Sequence, residues 1–181
     1  MRPQKLIRIG IQTALFSVLL SSIIYFAYYY TSYNFIVYLQ YIFIFLIGTI
    51  SFIILLRIIN HIVKHKRSRK PLIATSLFII ISVIIALVYF LYLTRLLDTM
   101  RINFVNQGNY ALTDIKITGC QKKYINTIAP KGNESVWIKI SRDCAISLSY
   151  NENGIHKTEI VSAYVTTSMG QKLTFKIGGN K

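Results

Sequence analysis

Leu72–Asp98 reads LIATSLFIIISVIIALVYFLYLTRLLD, and the fold turns on where that stretch stops. Leu72–Leu93 is apolar almost throughout, Arg95 is its first charge, and Asp98 is the first acidic residue anywhere in the chain. A helix rises about 1.5 Å per residue, so roughly 20 apolar residues cross a hydrocarbon core about 30 Å thick. Two more such runs come earlier, Leu6–Tyr30 and Phe35–Ile59. Residues 1–97 therefore read as a transmembrane region with helices over about 6–30, 35–59 and 72–95 and a basic linker over 60–70. Residues 98–181 are too few to cover three helices that are apolar on every face, which excludes a buried-core reading.

Charge divides at the same boundary. Residues 1–97 hold ten Lys and Arg and no acid, whereas residues 98–181 hold eleven bases and all six acids. The whole chain is 53% hydrophobic with a net charge of +15, too apolar for disorder and oddly charged for one soluble domain. Two bodies suited to different solvents meet near residue 98.

Met1–Arg8 resembles the basic start of a signal peptide. Its apolar run outlasts a signal core and ends in Tyr28, Tyr29 and Tyr30 rather than at a small-residue cleavage site, so it reads as a retained signal anchor. Short loops rich in Lys and Arg stay on the cytoplasmic side. The N-terminus carries Arg2, Lys5 and Arg8, and the linker carries Lys64, Lys66, Arg67, Arg69 and Lys70, while Thr31–Asn34 carries no charge. The expected location is a cytoplasmic membrane, with N-terminus and linker inside and residues 98–181 outside. The Ile, Lys, Asn and Tyr bias points to an AT-rich bacterial genome. The five linker cations are expected to meet anionic headgroups. Between two spans, Lys64-His65-Lys66-Arg67 reads as a topology signal, and no nucleic-acid partner is expected.

Tyr25, Tyr28, Tyr29, Tyr30, Tyr33, Tyr38 and Tyr41, with Tyr89, Phe90 and Tyr92, are expected to form an aromatic belt at the outer interface. The spans contain no acid, which argues against coupled transport by this chain alone. The small-xxx-small pairs Ser17/Ser21 and Ser82/Ala86 suit close helix packing or partner recruitment.

After Asp98 the apolar period changes to two. Val136, Ile138 and Ile140 alternate with Trp137 and Lys139; similar alternation at 144–150 and 173–177, and further runs at 102–104, 115–117, 124–128 and 155–165, make seven strands. The pattern predicts an antiparallel, immunoglobulin-like β-sandwich, with an open barrel as the alternative. Ala129-Pro130-Lys131-Gly132-Asn133 is a turn in which Gly is expected to take the left-handed position, and Asn151-Glu152-Asn153-Gly154 closes a hairpin. Cys120 and Cys144 both fall in the half expected outside, where a disulfide is the natural state.

Little in the chain suggests catalysis. Ser162, His156 and Glu159 form a triad only on paper. His61 and His65 have i,i+4 spacing among cations and no acid, so no metal is expected, nor any cofactor. Asn133-Glu134-Ser135 matches the glycosylation sequon. Trp137 has a positive argument: its neighbours at 136, 138 and 140 face inward, so the indole and Lys139 share the outer face as a candidate partner contact. The expectation is a non-enzymatic membrane protein displaying a β domain that binds an envelope protein, one version being an immunity protein against an envelope-directed toxin. The rivals are a structural subunit of a larger membrane complex and a pore-forming or membrane-perturbing effector.

Overall fold

The computed structural model describes residues 3–64 and 69–178. Lys66 and Arg67 of the basic linker lie outside the described residues. Three helices come first: α1 (Pro3–Thr31), α2 (Asn34–Lys64) and α3 (Arg69–Leu97). Each is long and apolar enough to cross a membrane. Seven strands follow: β1 (Thr99–Asn106), β2 (Leu112–Thr118), β3 (Lys123–Ile128), β4 (Asn133–Lys139), β5 (Cys144–Glu152), β6 (Ile155–Val165) and β7 (Lys172–Ile177). The chain forms two compact units, Met1–Leu93 and Thr94–Lys181.

The helices outrun their apolar cores. Residues 60–64 and 69–70, expected as linker, are helical. Asn, His and Lys cost a helix little, and its backbone bonds are satisfied with or without surrounding water, so hydropathy marks only the apolar part of each helix.

Within the helical unit, α1 buries Leu6, Gly10, Ala14, Ser17, Ser21, Ile24 and Tyr28, and α2 buries Val37, Gln40, Phe43, Ile47, Ser51, Ile54 and Ile58. The buried face of α3 carries Leu72, Thr75, Ile79, Ser82 and Ala86. Spacings of three and four make a narrow seam of the coiled-coil kind. That seam is richer in small and polar residues than the outer faces, which expose Phe16, Leu19, Phe45 and Phe52. Close approach explains it: a Cβ on Gly10 would lie 2.6 Å from Thr75 Cγ2 on α3. Both small-residue pairs, Ser17/Ser21 and Ser82/Ala86, are spent on this internal packing. At the other end of the unit, Tyr25 meets Tyr89 at 5.6 Å and Tyr41 meets Phe90 at 5.1 Å, so aromatic rings join α3 to both other helices.

The β unit has two sheets, ordered β4-β1-β7 and β3-β2-β5-β6. One core holds side chains from both: Met100, Ile102, Phe104, Ile138 and Ile177 from the first, Leu112, Ile115, Ile117, Ile146, Leu148 and Tyr150 from the second. The expectation of purely antiparallel pairing is corrected here, because β1 and β7 run parallel. The segment before β7 is tied to the end of α3: Gly170 N–H donates to Leu97 O at 2.6 Å, and Arg101 N–H to Gln171 O at 2.9 Å. With its start held beside the start of β1, β7 can only run alongside it.

Turn chemistry also differs from expectation at one site. In Ala129–Gly132, Lys131 takes the positive φ of 58° and Gly132 donates to Ala129 O. A type II turn needs positive φ at its third residue, which here is Lys131. The hairpin at Asn153-Gly154 has positive φ at both central residues, as a type I′ turn requires.

Candidate contact face of the β unit

Alternation along β4 turns Ile138 fully inward, with Val136 half-buried against the same core. Trp137 and Lys139 point to the opposite side, and Trp137 remains 46% exposed. Their surroundings follow from register. Lys139 pairs with Thr99 and Trp137 with Arg101 on β1, and Arg101 in turn pairs with Lys172 on β7. Residues in register share a face. Val105 pairs with Lys176 further along, and Ser135 donates a hydrogen bond to Asn103 at 3.2 Å. The outer face of β4-β1-β7 therefore exposes Lys139, Lys172 and Lys176 around the only tryptophan in the chain, while Arg101 on the same side is only 6% exposed. None of the six acids occupies an outer position of these strands: Glu134 pairs with Phe104 and takes the inward parity. Sequence alternation on one strand reached Trp137 and Lys139; Arg101, Lys172 and Lys176 join them only through pairings made across the chain.

Cys120 and Cys144 are bonded, with Cα atoms 5.2 Å apart. The bond fastens the start of β5 to the loop after β2. Beside it, Gly119 has φ 122°, and a Cβ there would lie 1.6 Å from Ala145 O, so no other residue fits that loop.

Two buried side chains make polar contacts that the sequence reading did not find. Asn106, 1% exposed, donates from its amide nitrogen to Tyr110 O, Ile128 O and Ala129 O and accepts from Gly108 N. One side chain thus satisfies carbonyls from two loops, as burial requires. Tyr150, also 1% exposed, donates its hydroxyl to Glu159. Burial, this hydrogen bond and the negative charges of Glu159 and Glu152 hold the phenol well above its ordinary pKa. The alternation at 144–150 places Tyr150 inward but does not identify Glu159 as its partner, and nothing local separates Asn106 from an exposed polar residue.

The paper triad is not assembled. His156 Nδ1 meets Asn151 Oδ1 at 3.0 Å, Glu159 receives Tyr150, and Ser162 donates to Tyr164 O at 3.2 Å. Among the described residues, no group of three or more His, Cys, Asp or Glu is placed to hold a metal ion. Of the linker cations, Lys64 ends α2 while Arg69 and Lys70 begin α3, with Arg69 Nε donating to Ile62 O at 3.3 Å.

No protein-family model and no curated protein matches the sequence. Among solved structures, an NMR structure of a protein from Eubacterium rectale aligns with 46% of this chain and 82% of its own, at 14% identity and a TM-score of 0.36. Likeness at that level carries no argument about fold or function.

Proposed function

We propose that this chain is a multi-pass protein of a bacterial cytoplasmic membrane that displays a small immunoglobulin-like β-sandwich outside the cytoplasm as a protein-binding module. The observation that carries the reading is the division of labour between the units. One consists of helices with apolar outer faces, and the other has its own closed core and a disulfide. Bilayer lipid is the solvent that suits the first, and an oxidising aqueous compartment suits the second. The segregation of Lys and Arg supports an N-terminus and helix linker inside and the β unit outside.

On the four-stranded sheet, Tyr124 and Ile160 are 68% and 64% exposed on the outer face, in register rows that also hold Lys116 and Ser147. Aromatic and aliphatic side chains within a polar surround form the usual surface of a non-obligate protein contact. No catalytic step is assigned. The specific version is an immunity protein, for which a small, anchored blocker of an envelope-directed toxin suffices.

Two measurements test this. A reporter active only outside the cytoplasm is expected to work when fused at Lys181 and to fail at Arg67; equal activity at both sites defeats the topology. Crosslinking in native membranes, followed by mass spectrometry, is expected to recover the same protein from the full chain and from a version whose three helices are exchanged for an unrelated anchor. Recovery lost with the helices would make them the contact, as in a structural subunit or a pore.

A further inference from the structure

The cations on the outer face of β4-β1-β7 are distributed unevenly. Helix α3 ends at Leu97 and β1 begins at Thr99, so the strand leaves the helix with one residue between. The last helical turn, Thr94–Leu97, belongs to the β unit and is held there by Gly170 and by the bond from Ile140 N–H to Asp98 O at 2.8 Å. Distances from the helix end can therefore be read along β1. Lys139 lies opposite Thr99, two residues past Leu97, and Trp137 and Lys172 lie opposite Arg101, four residues past it. At about 3.4 Å per residue these positions fall within roughly 7 and 14 Å of the helix end. Only Lys176, opposite Val105, is well beyond them. Arg95, in the last helical turn, adds a further cation.

The headgroup layer on each side of a bilayer is about 5–8 Å thick. Long basic side chains within a few ångströms of it reach back toward phosphate, and an amphipathic indole prefers that depth over either water or hydrocarbon. We propose that the helix-proximal part of this face, Trp137 with Lys139 and Lys172, is a docking surface for anionic phospholipid headgroups in the leaflet from which α3 emerges. This replaces the protein partner expected for Trp137 and Lys139 from sequence alone. It rests on the reading of α3 as a membrane span. Two features of the face favour lipid over an acidic protein: the charge crowds toward the helix end, and the tryptophan sits at the same level. The function is to lay the β unit down on the membrane and fix which of its faces points away.

Because Trp137 is the only tryptophan, the fluorescence of the full chain reports on this face alone. The protein is placed in nanodiscs of phosphatidylcholine, either pure or mixed with phosphatidylglycerol. Emission is quenched from the water by acrylamide and from the headgroup layer by a nitroxide-labelled lipid. With phosphatidylglycerol present, acrylamide quenching is expected to fall and nitroxide quenching to rise, and high salt should reverse both. Lys139→Gln and Lys172→Gln should each lower the docked-to-undocked ratio by about fivefold, with an unchanged melting point. A Trp137 equally open to acrylamide in both lipids, and indifferent to these substitutions, would overturn the proposal and return the face to a protein partner. Release of the protein from cell membranes by alkaline carbonate would instead overturn the membrane reading beneath it.

Discussion

Gly170 donates its N–H to the carbonyl of Leu97 at 2.6 Å, closing the end of α3 with a residue that arrives more than seventy positions later. There is no room for a side chain: a Cβ on Gly170 would lie 2.4 Å from Leu97 O, 2.5 Å from Leu96 O and 2.6 Å from Thr99 N. Close by, Asp98 Oδ1 accepts from Ser168 N at 2.9 Å. The last carbonyls of a helix need partners, and here a loop of the β unit supplies one.

Gly170→Ala is therefore expected to push the 166–171 loop off the helix end and to destabilise the β unit by about 2 kcal/mol or more. Thermal unfolding and limited proteolysis between β6 and β7 check this. A variant with unchanged melting and an uncut loop would show that this contact does not hold the loop in place.

The bond between Cys120 and Cys144 closes a loop with a sequence separation of 24. In the chain-entropy view such a bond contributes about 3 kcal/mol, a large share for a domain of this size. A thiol-alkylating reagent should label neither cysteine in denatured, unreduced protein and both after reduction. Cys144→Ser should lower the stability of the β unit by about 2–4 kcal/mol while membrane insertion is retained. Labelling without reduction would contradict the pairing.

Asn106 donates to three carbonyls, Tyr110 O, Ile128 O and Ala129 O, the last of which also accepts from Gly132 N–H. Asn106→Ala should cost about 2–4 kcal/mol, because it removes a buried side chain that donates to carbonyls of two loops and accepts from Gly108 N–H. Asn106→Asp should cost at least as much, since a carboxylate would face the same carbonyls without a donor. An Asp variant as stable as wild type, measured by denaturant unfolding, would refute this account.

Tyr150 predicts a pH dependence. Its phenol is pushed up in the folded state by burial and by Glu159, relative to about 10 when unfolded. The folded state keeps the proton longer, so the stabilisation is whole below about pH 10 and is lost as pH rises beyond it. Tyr150→Phe should be about 1 kcal/mol less stable at neutral pH, through loss of the hydrogen bond to Glu159. That gap should narrow above about pH 10, where only the wild type pays to ionise a buried phenol. A constant gap between about pH 8 and 11 would show that Tyr150 titrates normally.

Element type was legible in the sequence because it depends on local periodicity. An apolar run too long for a soluble helix, and an alternation of two after Asp98, are properties of neighbouring residues, and α3, β4 and β5 could be read from them. So could the outward side of Trp137, since successive strand residues must alternate. Pairing could not be read. The parallel partnership of β1 with β7 depends on a loop held by Leu97, and it alone brings Lys172 and Lys176 into the same face as Lys139. The inner face of the helices was legible only in part, for another reason. In a bundle that is apolar all round, the contact seam is marked by small residues: the spacings Ser17/Ser21 and Ser82/Ala86 could be read, whereas the close approach of Gly10 to Thr75 appears only when the facing helix is in place. Local chemistry therefore determined which segments are helix and which are strand. Tertiary contacts between residues far apart in the chain decided which side chains share a surface.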